Sequence, residues 1–124
     1  MIRLLLVEDD ANLRYIIQGG LEDMIGGYEI KDAANGVEGL KIWQEWKPDV
    51  IVSDIEMPVM DGYTATRKIR ELERSDAKTV PIIAMTANAF KEDAEKCIAV
   101  GMNAHLAKPL DIEKMKMTIK SICS

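Results

Sequence analysis

The chain has 124 residues, with 21 acidic and 16 basic side chains, a formal net charge of −5 and 48% apolar residues. These are the proportions of one globular domain, long enough to bury roughly two-thirds of its unfolded surface without disulfide staples. The acidic balance argues against direct nucleic-acid binding, which needs a basic stripe. No apolar run approaches the ~20 residues of a membrane span, Cys97 and Cys123 make no disulfide framework, and the start lacks the long apolar stretch of a signal peptide, so a cytoplasmic location is expected.

Ile2–Val7 is a nearly continuous apolar run, as expected of a strand buried on both faces. From Asn12 to Met24, Leu13, Ile16, Ile17, Leu21 and Met24 recur on one helical stripe, and Gly26-Gly27 ends it. Gly19-Gly20 inside that helix are unfavourable by about 1 kcal/mol each relative to Ala, and close helix–sheet contact is one reason to keep them. Tyr28–Ala33 alternates like an edge strand. Asn35-Gly36 turns into a helix over Val37–Trp46, in which Trp43 and Trp46 read as packing residues.

Asp49–Ser53 is a third apolar strand, and the Pro and Gly of Glu56–Gly62 mark a loop. Tyr63–Glu73 is helical, with Ile69 and Leu72 inward, and Ser75–Thr79 is a polar loop. Val80–Thr86 is a fourth strand with Pro81 tolerated at its start. Phe90–Val100 is a helix capped by Gly101, opened by the acids Glu92, Asp93 and Glu95 and carrying a buried or idle Cys97. Ala104–Ala107 is a short fifth strand, and Leu110–Ile122 a last helix with Ile112, Met115, Ile119 and Ile122 on one face. Five β–α units of this kind predict an α/β fold, a parallel sheet covered by helices on both sides, with one domain over residues 1–124.

In such a sheet the ligand site lies beyond the carboxyl ends of the strands. Glu8, Asp9 and Asp10 follow the first strand, Asp54 the third, Thr86 and Asn88 the fourth, and Lys108-Pro109 the fifth. A glycine-rich dinucleotide turn is excluded, because three acids stand where its glycines would be. Crowded carboxylates cannot all ionise cheaply, so either one holds a proton or a cation binds among them. An all-oxygen set favours a hard ion such as Mg2+, with Mn2+ as the alternative. A carboxylate beside that ion can attack phosphorus, assisted by the Lys108 ammonium and the Thr86 hydroxyl. Asp10 reads mainly as the cap of the first helix.

Leu6–Asp10, Ser53–Gly62, Met85–Ala87 and Ala107–Pro109, in that order and each after a strand, resemble the receiver domains of two-component response regulators. The resemblance covers essentially the whole chain, and its wording is most similar to receivers attached to hybrid sensor histidine kinases. It implies a flavodoxin-like (βα)5 fold with strand order 2-1-3-4-5. It implies that Asp54 accepts the phosphoryl group, that Glu8, Asp9, Asp54 and the carbonyl of Glu56 hold Mg2+, and that Lys108 pairs with the phosphoryl group. Thr86 and His105 then match the switch pair, and Glu56 and Asn88 flank the path of an attacking water. For His105 a half-buried strand residue packed on the last helix is an equal reading.

The implied partner is a histidine kinase or histidine phosphotransfer domain, and the implied output is a repacked face of the fourth helix, fifth strand and fifth helix, which also suits a homodimer. On this reading the chain is no enzyme beyond its own phosphorylation and dephosphorylation. A haloacid-dehalogenase-like phosphohydrolase would carry a second aspartate two residues after the nucleophile, where this chain has Glu56. A non-phosphorylated interaction module would have lost part of the acid–Asp–Thr–Lys set.

Overall fold

The computed structural model describes residues 2–22, 28–54, 62–71, 79–86, 91–107 and 111–123. Its elements alternate: β1 (Ile2–Val7), α1 (Ala11–Glu22), β2 (Tyr28–Ala33), α2 (Gly36–Glu45), β3 (Val50–Asp54), α3 (Gly62–Glu71), β4 (Ile82–Thr86), α4 (Lys91–Ala99), β5 (Ala104–Ala107) and α5 (Ile112–Cys123). The five strands form one sheet in the order β2-β1-β3-β4-β5, and every pairing is parallel. Fold class and strand order are therefore those implied by the sequence. Gly26-Gly27, Leu72, the 56–61 loop and most of the Ser75–Thr79 loop lie outside the described residues.

The period of two along β1 splits its side chains between two cores. Leu4 and Leu6 pack with Ile17 and Leu21 of α1 and with Met115 and Ile119 of α5. Leu5 and Val7 pack with Trp43 of α2, Ile69 of α3 and Cys97 of α4. The helices thus divide two and three across the sheet, which is why β1, β3 and β4 read as unbroken apolar runs. β2, with one neighbour, keeps Glu29, Lys31 and Asp32 exposed. Ile112 and Ile122 join the α1–α5 side as partly buried neighbours, as their helical spacing predicts.

Local chemistry sets the element ends. Asn35 is the N-cap of α2, its Oδ1 accepting from the Glu38 N–H at 2.9 Å, so the expected Asn35-Gly36 turn is a helix start. Pro81 stands just before β4, where its missing N–H costs nothing and its carbonyl accepts from the Ile51 N–H at 2.8 Å. Gly101 ends α4 at φ +102°, while the N–H of Met102 reaches the carbonyl of Cys97 at 2.9 Å. The Arg70 guanidinium donates to the Gly101 carbonyl at 2.7 Å and to Asn103 Oδ1 at 3.0 Å, tying α3 to the α4–β5 turn. Partial burial lowers the Arg70 pKa from its ordinary value, yet a guanidinium keeps its charge at neutral pH.

The two glycines inside α1 differ from the expected helix–sheet contact. A Cβ on Gly20 would sit 3.0 Å from Ile112 of α5, so the close approach is between helices; a Cβ on Gly19 would meet nothing within 4 Å. The close helix–sheet contact belongs instead to Gly39 of α2, where a Cβ would lie 2.8 Å from Val7 Cγ2.

No described helix is long and apolar enough to cross a membrane. Gly19→Ala is expected to stabilise the protein by about 0.5–1 kcal/mol, because it restricts the unfolded chain and meets no neighbour. Gly39→Ala is expected to destabilise it by about 1 kcal/mol, since overpacking against Val7 outweighs the helical gain. Urea unfolding of both variants reads the two signs; equal shifts would refute the distinction.

Candidate functional site

Pairing of β1 with β3 sets Val7 beside Ser53, so the residues that follow each strand emerge together. The N–H of Glu8 donates to the Ala33 carbonyl at 3.0 Å, extending the β1–β2 ladder by one step. Beyond it the chain turns. Asp10 caps α1: its Oδ1 accepts from the N–H groups of Asn12 at 2.9 Å and Leu13 at 3.3 Å. The carbonyl of Asp10 accepts from the Arg14 N–H at 3.0 Å. The cap role expected of Asp10 is the one the structure shows, and it leaves Glu8 and Asp9 to face the rim.

Glu8 is 1% exposed and Asp54 3% exposed, whereas Asp9 is open to solvent. Glu8 Oε1 accepts from the Asp10 N–H at 3.2 Å, which holds the buried carboxylate against its own turn. One carboxylate oxygen from each of Glu8, Asp9 and Asp54 lies within 4.8 Å of the others. Three acids this close, two of them withdrawn from water, repel one another unless a proton or a cation intervenes. The donor set is wholly oxygen, with no Cys or His among its members. It therefore fits a hard divalent ion such as Mg2+ and does not fit a zinc site.

Thr86 ends β4 and is 1% exposed. It follows Met85, the residue paired with Asp54 across the β3–β4 ladder, so its position borders the same rim. His105, paired with Ala84 on β5, is exposed, contrary to the half-buried placement that was one reading of it. On this short strand the inward position falls to Leu106, which is 4% exposed. Lys108, Glu56 and Asn88 lie outside the described residues.

The packing readings of Trp43, Trp46 and Cys97 stand, whereas Ile16, expected on the apolar stripe of α1, is exposed. Trp43 and Met85 are wholly buried and Cys97 is buried. Trp46 is partly buried and takes Lys31 Nζ 5.0 Å above its ring.

Two residues near the acids escaped sequence reasoning. Arg14 Nη1 donates to the Glu8 carbonyl at 2.6 Å, and Arg14 Nε pairs with Asp32 Oδ2 at 3.1 Å. Neither lies in a motif, and the contact joins the first turn of α1 to the end of β2. The sequence signal was that Arg14 is the one cation of α1.

A family model for the response regulator receiver domain matches residues 4–120. Among curated proteins, the sensor histidine kinase RcsC of Escherichia coli (strain K12) is 36% identical over 118 residues, covering 94% of this chain and 12% of RcsC. Hybrid signal transduction histidine kinase B of Dictyostelium discoideum is 40% identical over 117 residues, covering 87% of this chain and 6% of that protein. The chain thus spans a small fraction of the length of these relatives. Among solved structures, the chemotaxis protein CheY4 of Vibrio cholerae superposes with a TM-score of 0.90 at 34% identity, covering 98% of each chain. The receiver domain of sensor histidine kinase PA1611 from Pseudomonas aeruginosa PAO1, which has a magnesium ion coordinated in its active site cleft, gives 0.87 at 37% identity, covering 99% of this chain and 98% of its own. Sequence and fold agree over nearly the whole length, and the chain belongs to the response regulator receiver domains, the phosphoacceptor domains of two-component signalling.

Proposed function

We propose that this chain is a single receiver domain over residues 1–124 that accepts a phosphoryl group on Asp54 in a Mg2+-dependent step. The observation that carries the reading is the convergence of Glu8, Asp9 and Asp54 within 4.8 Å at the strand ends. The donor is a phosphohistidine of a histidine kinase or phosphotransfer domain, the partner type expected beside the hybrid kinases that this chain resembles. An Asp54 carboxylate oxygen attacks phosphorus, the P–N bond to the donor imidazole breaks, and its electron pair stays on that nitrogen. Mg2+, when bound, would supply positive charge that offsets the developing charge of the transfer. Glu8, Asp9, Asp54 and the carbonyl of Glu56 would hold it, and Mn2+ would suit the same oxygen set.

The remaining roles follow the family pattern. Lys108 pairs with the phosphoryl group, and the Thr86 hydroxyl moves toward it. That movement, with His105, biases a two-state face formed by α4, β5 and α5. Exposed apolar side chains on the two helices, Ile98 at 71% and Met117 at 72%, support that face as the output surface and as the place where two copies would meet. The proposed location is the cytoplasm, and the acidic balance supports protein partners over direct nucleic-acid contact.

Incubation with acetyl phosphate and Mg2+ is expected to add one phosphoryl group by intact mass. EDTA or Asp54→Asn should abolish the addition, and an unchanged yield in Asp54→Asn overturns the assignment. Glu56→Ala should alter the rate of phosphate loss while phosphorylation persists; a wild-type rate refutes the tuning role. Removing one of three crowded charges has its own signature in calorimetry. Without divalent ions at neutral pH, Asp54→Asn should gain on the order of 1 kcal/mol, a rise of about 4 °C in melting temperature. A lower melting temperature would contradict mutual repulsion at the site.

A further inference from the structure

We infer that Arg14 is a positioning residue for the acidic pocket, acting through the backbone of Glu8 with Asp32 as its anchor. This rests on the Mg2+-binding reading proposed above. Arg14 sits on the first turn of α1, and its side chain is 19% exposed. From there its guanidinium reaches back to the point where β1 gives way to the acidic turn. Nη1 donates to the Glu8 carbonyl at 2.6 Å, while Nε pairs with the Asp32 carboxylate at 3.1 Å.

The contact completes a frame around one residue. Glu8 is held at its N–H by the Ala33 carbonyl, at its carbonyl by Arg14 and at its carboxylate by the Asp10 N–H. Asp32 and Ala33 are neighbours on β2, facing Leu6 and Val7 of β1. The edge strand therefore grips the acidic turn twice, once directly through Ala33 and once through the Asp32–Arg14 pair. A planar guanidinium can serve two acceptors at once in a fixed geometry, which an ammonium cannot. The Glu8 carbonyl precedes Asp9, so fixing it also fixes the peptide from which the exposed Asp9 side chain springs.

Charge and positioning predict opposite signs, and this makes the inference testable. If Arg14 acted only as a nearby cation, its removal would tighten Mg2+ by lowering the positive potential at the acids. If it acts by holding Glu8, its removal loosens the pocket and weakens Mg2+. Loss of an outer residue that orients a ligand weakens metal binding by roughly tenfold at the low end of observed effects.

The test is titration of the metal-free protein with Mg2+ alone, followed by the amide chemical shifts of Glu8, Asp9 and Asp54. Arg14→Met is expected to raise the half-saturating Mg2+ concentration by roughly tenfold, and Arg14→Lys, at unchanged charge, by a smaller factor. Amide exchange at Asp10, whose N–H caps the Glu8 carboxylate, should quicken in Arg14→Met before any metal is added. A side chain that merely propped α1 would lower the unfolding midpoint and leave the Mg2+ dependence in place. Wild-type or tighter Mg2+ binding by folded Arg14→Met overturns the inference. Should Arg14→Met fail to fold, Asp32→Asn decides, because its carboxylate is 45% exposed and its loss spares the core. Measured in about 1 M KCl, where charge is screened beyond roughly 3 Å, weaker Mg2+ binding by Asp32→Asn supports the inference and wild-type binding overturns it. A wild-type protein that binds no Mg2+ would instead bring down the function proposed above.

Discussion

Parallel pairing of β1 with β3 forces carboxylates together that would otherwise stay apart. The register that sets Leu4 against Val50 and Val7 against Ser53 is specified by two buried faces. A slip of one residue would exchange the side chains that fill the two cores and spoil the packing of both. Once that register is set, Glu8 and Asp54 have no freedom to avoid each other. They end 1% and 3% exposed, with an oxygen of Asp9 close to both. Burial of charge is unfavourable, and at Glu8 part of that cost is offset where its carboxylate accepts from the Asp10 N–H. The packing energy of the two cores holds a site that would not assemble by itself.

The same sheet divides the molecule into faces with different tasks. α1 and α5 cover one side through Ile17, Leu21, Met115 and Ile119, and meet closely where Gly20 faces Ile112. α2, α3 and α4 cover the other, with Gly39 letting α2 approach Val7. Val7 directly precedes Glu8, so that close approach braces the strand just below the acids. On the far side, Arg70 bonds the Gly101 carbonyl and Asn103 Oδ1, and Asn103 Oδ1 also accepts from the Ile82 N–H at 3.0 Å. α3, the α4–β5 turn and the start of β4 are therefore one hydrogen-bonded unit at the end of the sheet opposite the acids. β4 spans the distance between them, from Ile82 in that unit to Thr86 at the rim.

The elements were legible because their signals were local. Apolar runs for β1, β3 and β4, alternation for β2, and helical spacing for α5 each report burial residue by residue. Their predicted ends shifted by one or two positions where a cap decided the boundary, as at Asn35. Glu8, Asp9, Asp54 and Thr86 were legible for a further reason: each closes a strand or lies within two residues of its end, and parallel sheets put those positions on one edge. Gly19 and Gly20 were legible only as anomalies, since what each faces belongs to another helix.

By itself, the sequence determined the alternation of strands and helices, the acidic character of the rim and the membership that its motifs carry, because these depend on periodicity and order along the chain. Tertiary structure alone decided that Glu8 is buried while Asp9 is open, that His105 points to solvent, and that Arg14 reaches from α1 to Glu8 and to Asp32 on β2. Those outcomes depend on which surfaces meet across the sheet. Arg14 and Asp32 are 18 positions apart in the chain, and no period or motif links them. Only the placement of β2 beside β1 brings that carboxylate within 3.1 Å of the guanidinium.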